Sequence, residues 1–175
     1  MSDRSWQKEC EEAAAEWIEF LHTQKVEELA RAMQHCESEI ERLLFARLAF
    51  IRPEFVTLWP ATLRLMDARA IYVPDDGEFG WLIPQLTVGK YRLDFAILYR
   101  VAGWKKPAQI AIECDGHDYH DGTKEAAERD KKRNRVLTAA GWKVLRFTGR
   151  EIYRDPKRCA EEVESLLFDL FADIE

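Results

Sequence analysis

No apolar stretch in this sequence approaches the roughly 20 residues that a membrane-spanning helix needs, so no membrane partner is expected. The cysteines, Cys10, Cys36, Cys114 and Cys159, include no Cys-x-x-Cys pair. That spacing argues against a zinc knuckle and against a secreted disulfide framework. Repeats and low-complexity tracts are missing, and neither glycine nor proline interrupts Met1 to Arg52. The opening Met1-Ser2-Asp3-Arg4 is polar and then turns acidic, so a secretory signal is not expected and a cytoplasmic location is.

What is present suits a soluble globular chain. Hydrophobic residues make up 47% and charged residues 33% of 175 positions, too apolar for disorder and long enough to bury a sizeable core. A net charge of −6 fits poorly with phosphate binding, but its distribution matters more than its sum. Met1 to Glu41 carries eleven acidic and four basic residues. Arg129 to Arg150 carries eight basic residues against Asp130 alone. An acidic arm thus precedes a basic segment that can meet nucleic acid.

Periodicity predicts helices over most of the first fifty residues. Trp6, Cys10, Ala13, Trp17 and Leu21 form one stripe, and Val26, Leu29, Ala30 and Met33 another. Ser38-x-x-Glu41 has the form of a capping box before a helix whose apolar face is Ile40, Leu43, Leu44 and Leu48. Arg52 to Gly80 is punctuated by Pro53, Pro60 and Pro74; Thr62 to Ala70 suits a short helix and Asp75-Asp76-Gly77 a turn. Trp81 to Val88, Tyr91 to Tyr99 and Ala108 to Asp115 read as three antiparallel strands, with turns at Gly89-Lys90 and from Gly103 to Pro107. Thr123 to Ala140 reads as a helix ended by Gly141, Trp142 to Phe147 as a fourth strand, and Asp155-Pro156 as the start of a last helix.

Asp94 and Glu113 carry the chemistry. Each interrupts an otherwise apolar strand, where an ionised carboxylate is costly unless it meets a cation or a hydrogen-bond donor. Two of them side by side repel unless a divalent ion lies between, and Mg2+ favours one or two carboxylates plus water and phosphate oxygens. Either acid alone is more simply a solvent-facing strand end. Behind them, His117 and His120 lie in a loop, and His120 is the candidate general acid. Glu41 is explained as well by helix capping as by a role in the site. Arg129, Arg133 and Arg146 are candidates for phosphate contact or transition-state charge stabilisation. For the first two the alternative is a solvated, salt-bridged helix face, while Arg146, projecting from an otherwise apolar strand, is expected to be paired or aimed at the site.

These residues resemble the PD-(D/E)xK restriction-endonuclease-like superfamily and, more narrowly, small nuclease domains related to very-short-patch-repair endonucleases. The resemblance runs through Ser38-x-x-Glu41, then Gln85-x-x-Val88-Gly89-x-Tyr91-x-x-Asp94-Phe95, then Ile112-Glu113-Cys114-Asp115-Gly116 with His120. It continues through Arg129-Asp130-x-x-Arg133 and Gly141-Trp142-x-Val144-Leu145-Arg146-Phe147. It implies an α/β restriction-endonuclease-like core, a mixed four-stranded sheet flanked by helices, over 37–175; residues 1–36 are read, from their charge and periodicity, as an acidic helical extension outside the resemblance. It also implies Mg2+, with Mn2+ as substitute, held by Asp94, Glu113 and the Cys114 carbonyl, while Glu41 binds or orients the ion's water. Gln85 would orient substrate or water. Leu93 stands where the motif has proline. Asp115 stands where it has lysine and is expected to bind a second ion. The expected activity is hydrolysis of phosphodiester bonds, in DNA sooner than RNA. The competing expectation, favoured by Asp115 and the net negative charge, is an inactive nuclease-fold module that binds nucleic acid or protein. The N-terminal helices are the expected docking or homodimerisation element.

Overall fold

A computed structural model describes residues 15, 19, 23–24, 26–49, 57–58, 79–100, 107–116 and 124–172. The helix expected from Trp6 to Leu21 with Cys10, the short helix at 62–70, the turn at 75–77, the turn at 103–106, the His117–His120 loop and Ile174 lie outside the described residues.

Helix α1 (residues 26–33) leads into α2 (Glu39–Leu48). On α1 the buried stripe is rotated from the one expected. Ala32 and, just beyond the helix, Cys36 are buried with Leu29 and Met33 beside them, whereas Val26 is half exposed. Ala32 and Cys36 therefore belong to the main core, which begins before residue 37. On α2 the inward residues are Ile40, Leu44, Phe45 and Leu48, and Leu43 turns outward. Phe45 replaces Leu43 because positions 41, 44, 45 and 48 form one helical stripe.

The sheet is mixed, in the order β1-β2-β5-β6-β7. Its four main strands are β2 (Phe79–Pro84), β5 (Phe95–Arg100), β6 (Ala108–Asp115) and β7 (Lys143–Thr148). The expected antiparallel meander is β2-β5-β6, and β7 returns parallel to β6 through α3 (Lys124–Ala139). A two-residue strand, β1 (Thr57–Leu58), adds a fifth member at the β2 edge.

Two strands expected to be continuous are each broken at the same level. Gln85 adopts φ 55°, the left-handed region. Gln85 N–H donates to the Asp94 carbonyl (2.8 Å) and Leu93 N–H to the Leu86 carbonyl (2.8 Å). Beyond that junction, β3 (Thr87–Val88) and β4 (Tyr91–Arg92) form a separate ribbon. Gly89 at φ 61° opens the ribbon's two-residue turn, where side chains are disfavoured.

Both faces of the sheet are covered, which is why β5 is buried throughout. On one face Phe95, Ile97, Tyr99, Ile110, Ile112 and Phe147 pack with α1, α2, α4 (Gly149–Arg154) and α5 (Pro156–Ala172). On the other, Ala96, Leu98 and Ala111 pack with Leu137 of α3 and with Trp142. The α3 end is a Schellman motif. Gly141 (φ 90°) donates to the Thr138 carbonyl (2.9 Å), and Trp142 N–H donates to the Leu137 carbonyl (3.0 Å). Helix α4 was not expected, although Thr148-x-x-Glu151 carries its complete capping box. Asp155 caps α5 as expected, its carboxylate accepting from Arg158 N–H at 3.0 Å. Cys36 and Cys159 are buried free thiols, and burial pushes Cys36 up to about 12 and Cys159 up to about 11. Among the described residues, no helix is long and apolar enough to cross a membrane.

Phe45 and Phe95 meet with ring centroids 5.4 Å apart, tilted by 31°. Phe45→Ala is expected to cost about 3–5 kcal/mol in urea unfolding. Leu43→Ala, on the outward side of the same helix, is expected to cost less than about 1 kcal/mol. Equal losses would mean that α2 does not face the sheet as described.

Candidate active site

The last ladder pair between β5 and β6 is Phe95 with Ile112. Asp94 immediately precedes β5 and Glu113 immediately follows Ile112 on β6, so the register brings both to the same end of the strand pair. Glu113 alternates with Ala111 and so points to the face that α3 covers. Asp94 Oδ2 accepts from the Cys114 N–H at 2.7 Å, which draws the aspartate across onto β6.

Glu113 is almost fully buried. Arg133, reaching in from α3, donates through Nη2 to Glu113 Oε1 at 2.5 Å and to the Arg92 carbonyl at 2.6 Å. Despite that ion pair, burial pushes the Glu113 carboxyl up to about 7, and the Asp94 charge pushes the same way while Arg133 opposes. Desolvation outweighs one guanidinium here. Burial likewise raises Asp94, opposed by the Cys114 N–H and reinforced by the charge of Glu41. The Cys114 thiol is raised by burial first and by Asp94 next.

Glu41 arrives from α2 on the far side of the junction. Its Oε2 accepts from Glu37 N–H (2.9 Å) and from Gln85 Nε2 (2.9 Å), and its Oε1 accepts from Ser38 Oγ (2.8 Å). Ser38 Oγ in turn accepts from Glu41 N–H at 3.3 Å. The cap is therefore present, but the carboxylate reaches back to Glu37 N–H and the Ser38 hydroxyl. Capping and membership of the site coexist, because Glu41 is one turn from Phe45, which packs on Phe95 beside Asp94. Gln85 is buried, and its Oε1 has no hydrogen-bond partner among the described residues. A carboxylate only accepts, so the Gln85 amide must turn its NH2 toward Glu41 and its oxygen elsewhere.

Asp115 lies two residues beyond Glu113 on the same face, about 7 Å along the strand. It is turned to Arg146, whose Nη1 lies 3.5 Å from Asp115 Oδ1 and 3.9 Å from Asp130 Oδ2. Arg146 Nη2 donates to Asn134 Oδ1 at 3.2 Å. Burial raises the Asp115 carboxyl, and Arg146 opposes. Arg146 stands beside Glu113 in the parallel register of β7, and it is paired.

The structure thus brings together Asp94, Glu113, Glu41, Gln85 and Arg133, with Asp115 and Arg146 alongside. Arg129 is exposed on α3. His120 lies outside the described residues. Asn134, Asp130 and the Arg92 carbonyl were not singled out as site groups. Positions 130, 133, 134 and 137 form one helical stripe, which could have flagged the first two; nothing in sequence marks a carbonyl.

Among the described residues, no group of three or more His, Cys, Asp or Glu is drawn together as a metal site. The donor chemistry at hand is one buried and one half-buried carboxylate, with a guanidinium on the buried one. That set fits a hard divalent cation completed by water and phosphate oxygens.

Residues 79–167, just over half of the chain, match the family described as REase_MTES_1575. No curated protein and no solved structure matches.

The raised Glu113 carboxyl sets a pH dependence in metal-free protein. Its folded value of about 7 lies above the unfolded value of about 4.3, so the folded state holds the proton through that window. Its contribution to stability is complete below the unfolded value and is lost as pH rises through the folded one. Glu113→Gln removes this term, so its stability relative to wild type is expected to grow with pH across the window, by a few kcal/mol at about 1.4 per pH unit. Urea unfolding in EDTA measures it, and a pH-independent difference would contradict the assignment.

Proposed function

Because this chain belongs to the restriction-endonuclease-like family REase_MTES_1575, nucleases in the general sense, we propose that it is a Mg2+-dependent endonuclease acting on DNA. The observation that carries this reading is that half-buried Asp94, held on the Cys114 N–H of β6, lies next to the buried Glu113 carboxylate. Asp94 and Glu113 would hold the ion, with the Cys114 carbonyl as a third oxygen, and Mn2+ would substitute. Such an ion, when bound, supplies Lewis-acid stabilisation of charge on the scissile phosphate and makes its water more acidic.

The chain's own groups supply the rest. The Cys114 N–H holds the Asp94 carboxylate against β6, and Glu113 follows Ile112 on that strand. Glu41 places a third negative charge beside Asp94, held still by three donors. Gln85 Oε1 is a buried acceptor suited to a water or hydroxyl donor. Arg133 and Arg146 bring positive charge to the α3 side of the cluster, where a phosphate would lie. Outward on α3, Arg129, Lys131, Lys132 and Arg135 are exposed and suit contacts to the phosphate backbone. His120 as general acid, kinship with the very-short-patch-repair branch, a cytoplasmic setting, and docking or homodimerisation through the N-terminal helices belong to the same proposal.

The engagement of Asp115 by Arg146 favours a second reading, a nuclease fold that binds DNA without turnover. Plasmid nicking with Mg2+, Mn2+ or EDTA separates the two. Asp94→Ala and Glu113→Ala are each expected to lower metal-dependent nicking by roughly a hundredfold or more. Equal activity in all three proteins would mean contamination, and DNA binding by wild type without nicking would favour the second reading.

A further inference from the structure

We infer that Arg133 is a displaceable counter-cation: it neutralises Glu113 while no divalent ion is present, and leaves Glu113 for a phosphate oxygen when one enters. This rests on the metal-dependent reading above.

The geometry separates Arg133 from an ordinary structural arginine. A committed arginine–carboxylate pair is usually bidentate, with two parallel N–H donors on two oxygens. Arg133 instead makes both of its contacts through Nη2, one to Glu113 Oε1 and one to the Arg92 carbonyl. Its Nε is buried with no hydrogen-bond partner among the described residues. A buried donor left unmade is unfavourable, and this one belongs to a guanidinium whose planar fork matches phosphate. The neighbouring Arg146 contrasts with it. Although its Nε is likewise unpartnered, both of its Nη atoms are engaged, by Asp115, Asp130 and Asn134 together. Arg146 thus spreads its contacts over both Nη atoms and three side chains, whereas Arg133 rests on a single Nη atom with one carboxylate and one carbonyl.

Electrostatics gives the reason for movement. Asp94 lies next to Glu113 with Glu41 close to Asp94, and Arg133 is the cation touching Glu113. A divalent ion binding the same carboxylates would be repelled by a guanidinium held on Oε1 and would take over its task. The Arg133 side chain is about one-fifth exposed (21%), whereas Glu113 is at 5%, so the arginine has solvent to swing toward and the glutamate does not. Glu113 Oε2 is the alternative seat, which would let the ion bind with Arg133 in place.

NMR of the full chain distinguishes these cases. The Arg133 Nε–H signal, assigned with Arg133→Lys, reports on the guanidinium, and the Cys114 amide reports on Asp94. On adding Mg2+, both signals are expected to shift along one binding curve, the Nε–H ending near its position in metal-free Glu113→Gln. Inorganic phosphate added next is expected to shift the Nε–H again. A moving Cys114 amide with a stationary Arg133 signal would overturn the displacement while leaving the metal site intact. Displacement without response to phosphate would overturn the phosphate-binding half. If neither signal moved in millimolar Mg2+, the metal-dependent reading would fail, and this inference with it.

Discussion

Buried negative charge governs this molecule. Asp94, Glu113 and Glu41 converge where two broken strands meet a helix start, and burial raises the carboxyls of Asp94 and Glu113. Unpaired charges in such a place are among the most unfavourable features a fold can hold. The surroundings are arranged to offset them: the Cys114 N–H on Asp94, three donors on Glu41, and Arg133 on Glu113. The compensation stops short of neutrality. That deficit is what the proposed divalent ion would offset.

The two cores explain how the deficit is tolerated. On one face of the sheet an uninterrupted apolar cluster joins α1, α2, α4 and α5 to Phe95, Ile97, Ile110, Ile112 and Phe147. On the other, a smaller cluster around Leu137 and Trp142 leaves the α3 end of the face to polar groups. The first core holds the strands in register whatever happens at the carboxylates. Phe45 and Glu41 lie one turn apart on α2, so the helix that anchors the sheet also delivers a site residue.

Much of this was legible in sequence because it depends on period and punctuation. The meander, a fourth strand after α3, the Gly141 cap and the Asp155 cap all follow from alternation, spacing and single residues with fixed conformational habits, whereas the mixed character of the sheet came only through the resemblance. Asp94 and Glu113 stood out as charges inside apolar runs. What could not be read depends on long-range geometry. Nothing local announces that Gln85 is left-handed, that Asp115 turns to Arg146, or that the Arg92 carbonyl receives Arg133. The rotated face of α1 has the same origin: Val26 and Ala32 are both plausible inward residues until the sheet is in place.

Gln85 shows how tightly such a junction constrains evolution. Its backbone adopts a conformation most natural for glycine or asparagine, while its side chain must span to Glu41. Glycine would relax the backbone and leave Glu41 without a donor; asparagine would sit comfortably but is one methylene shorter. Glutamate has the reach but adds a further negative charge to an already crowded cluster. Lysine has the length and charge yet offers no acceptor. The position thus answers to two opposing physical demands, one from torsion and one from reach, and glutamine meets the second at some cost to the first.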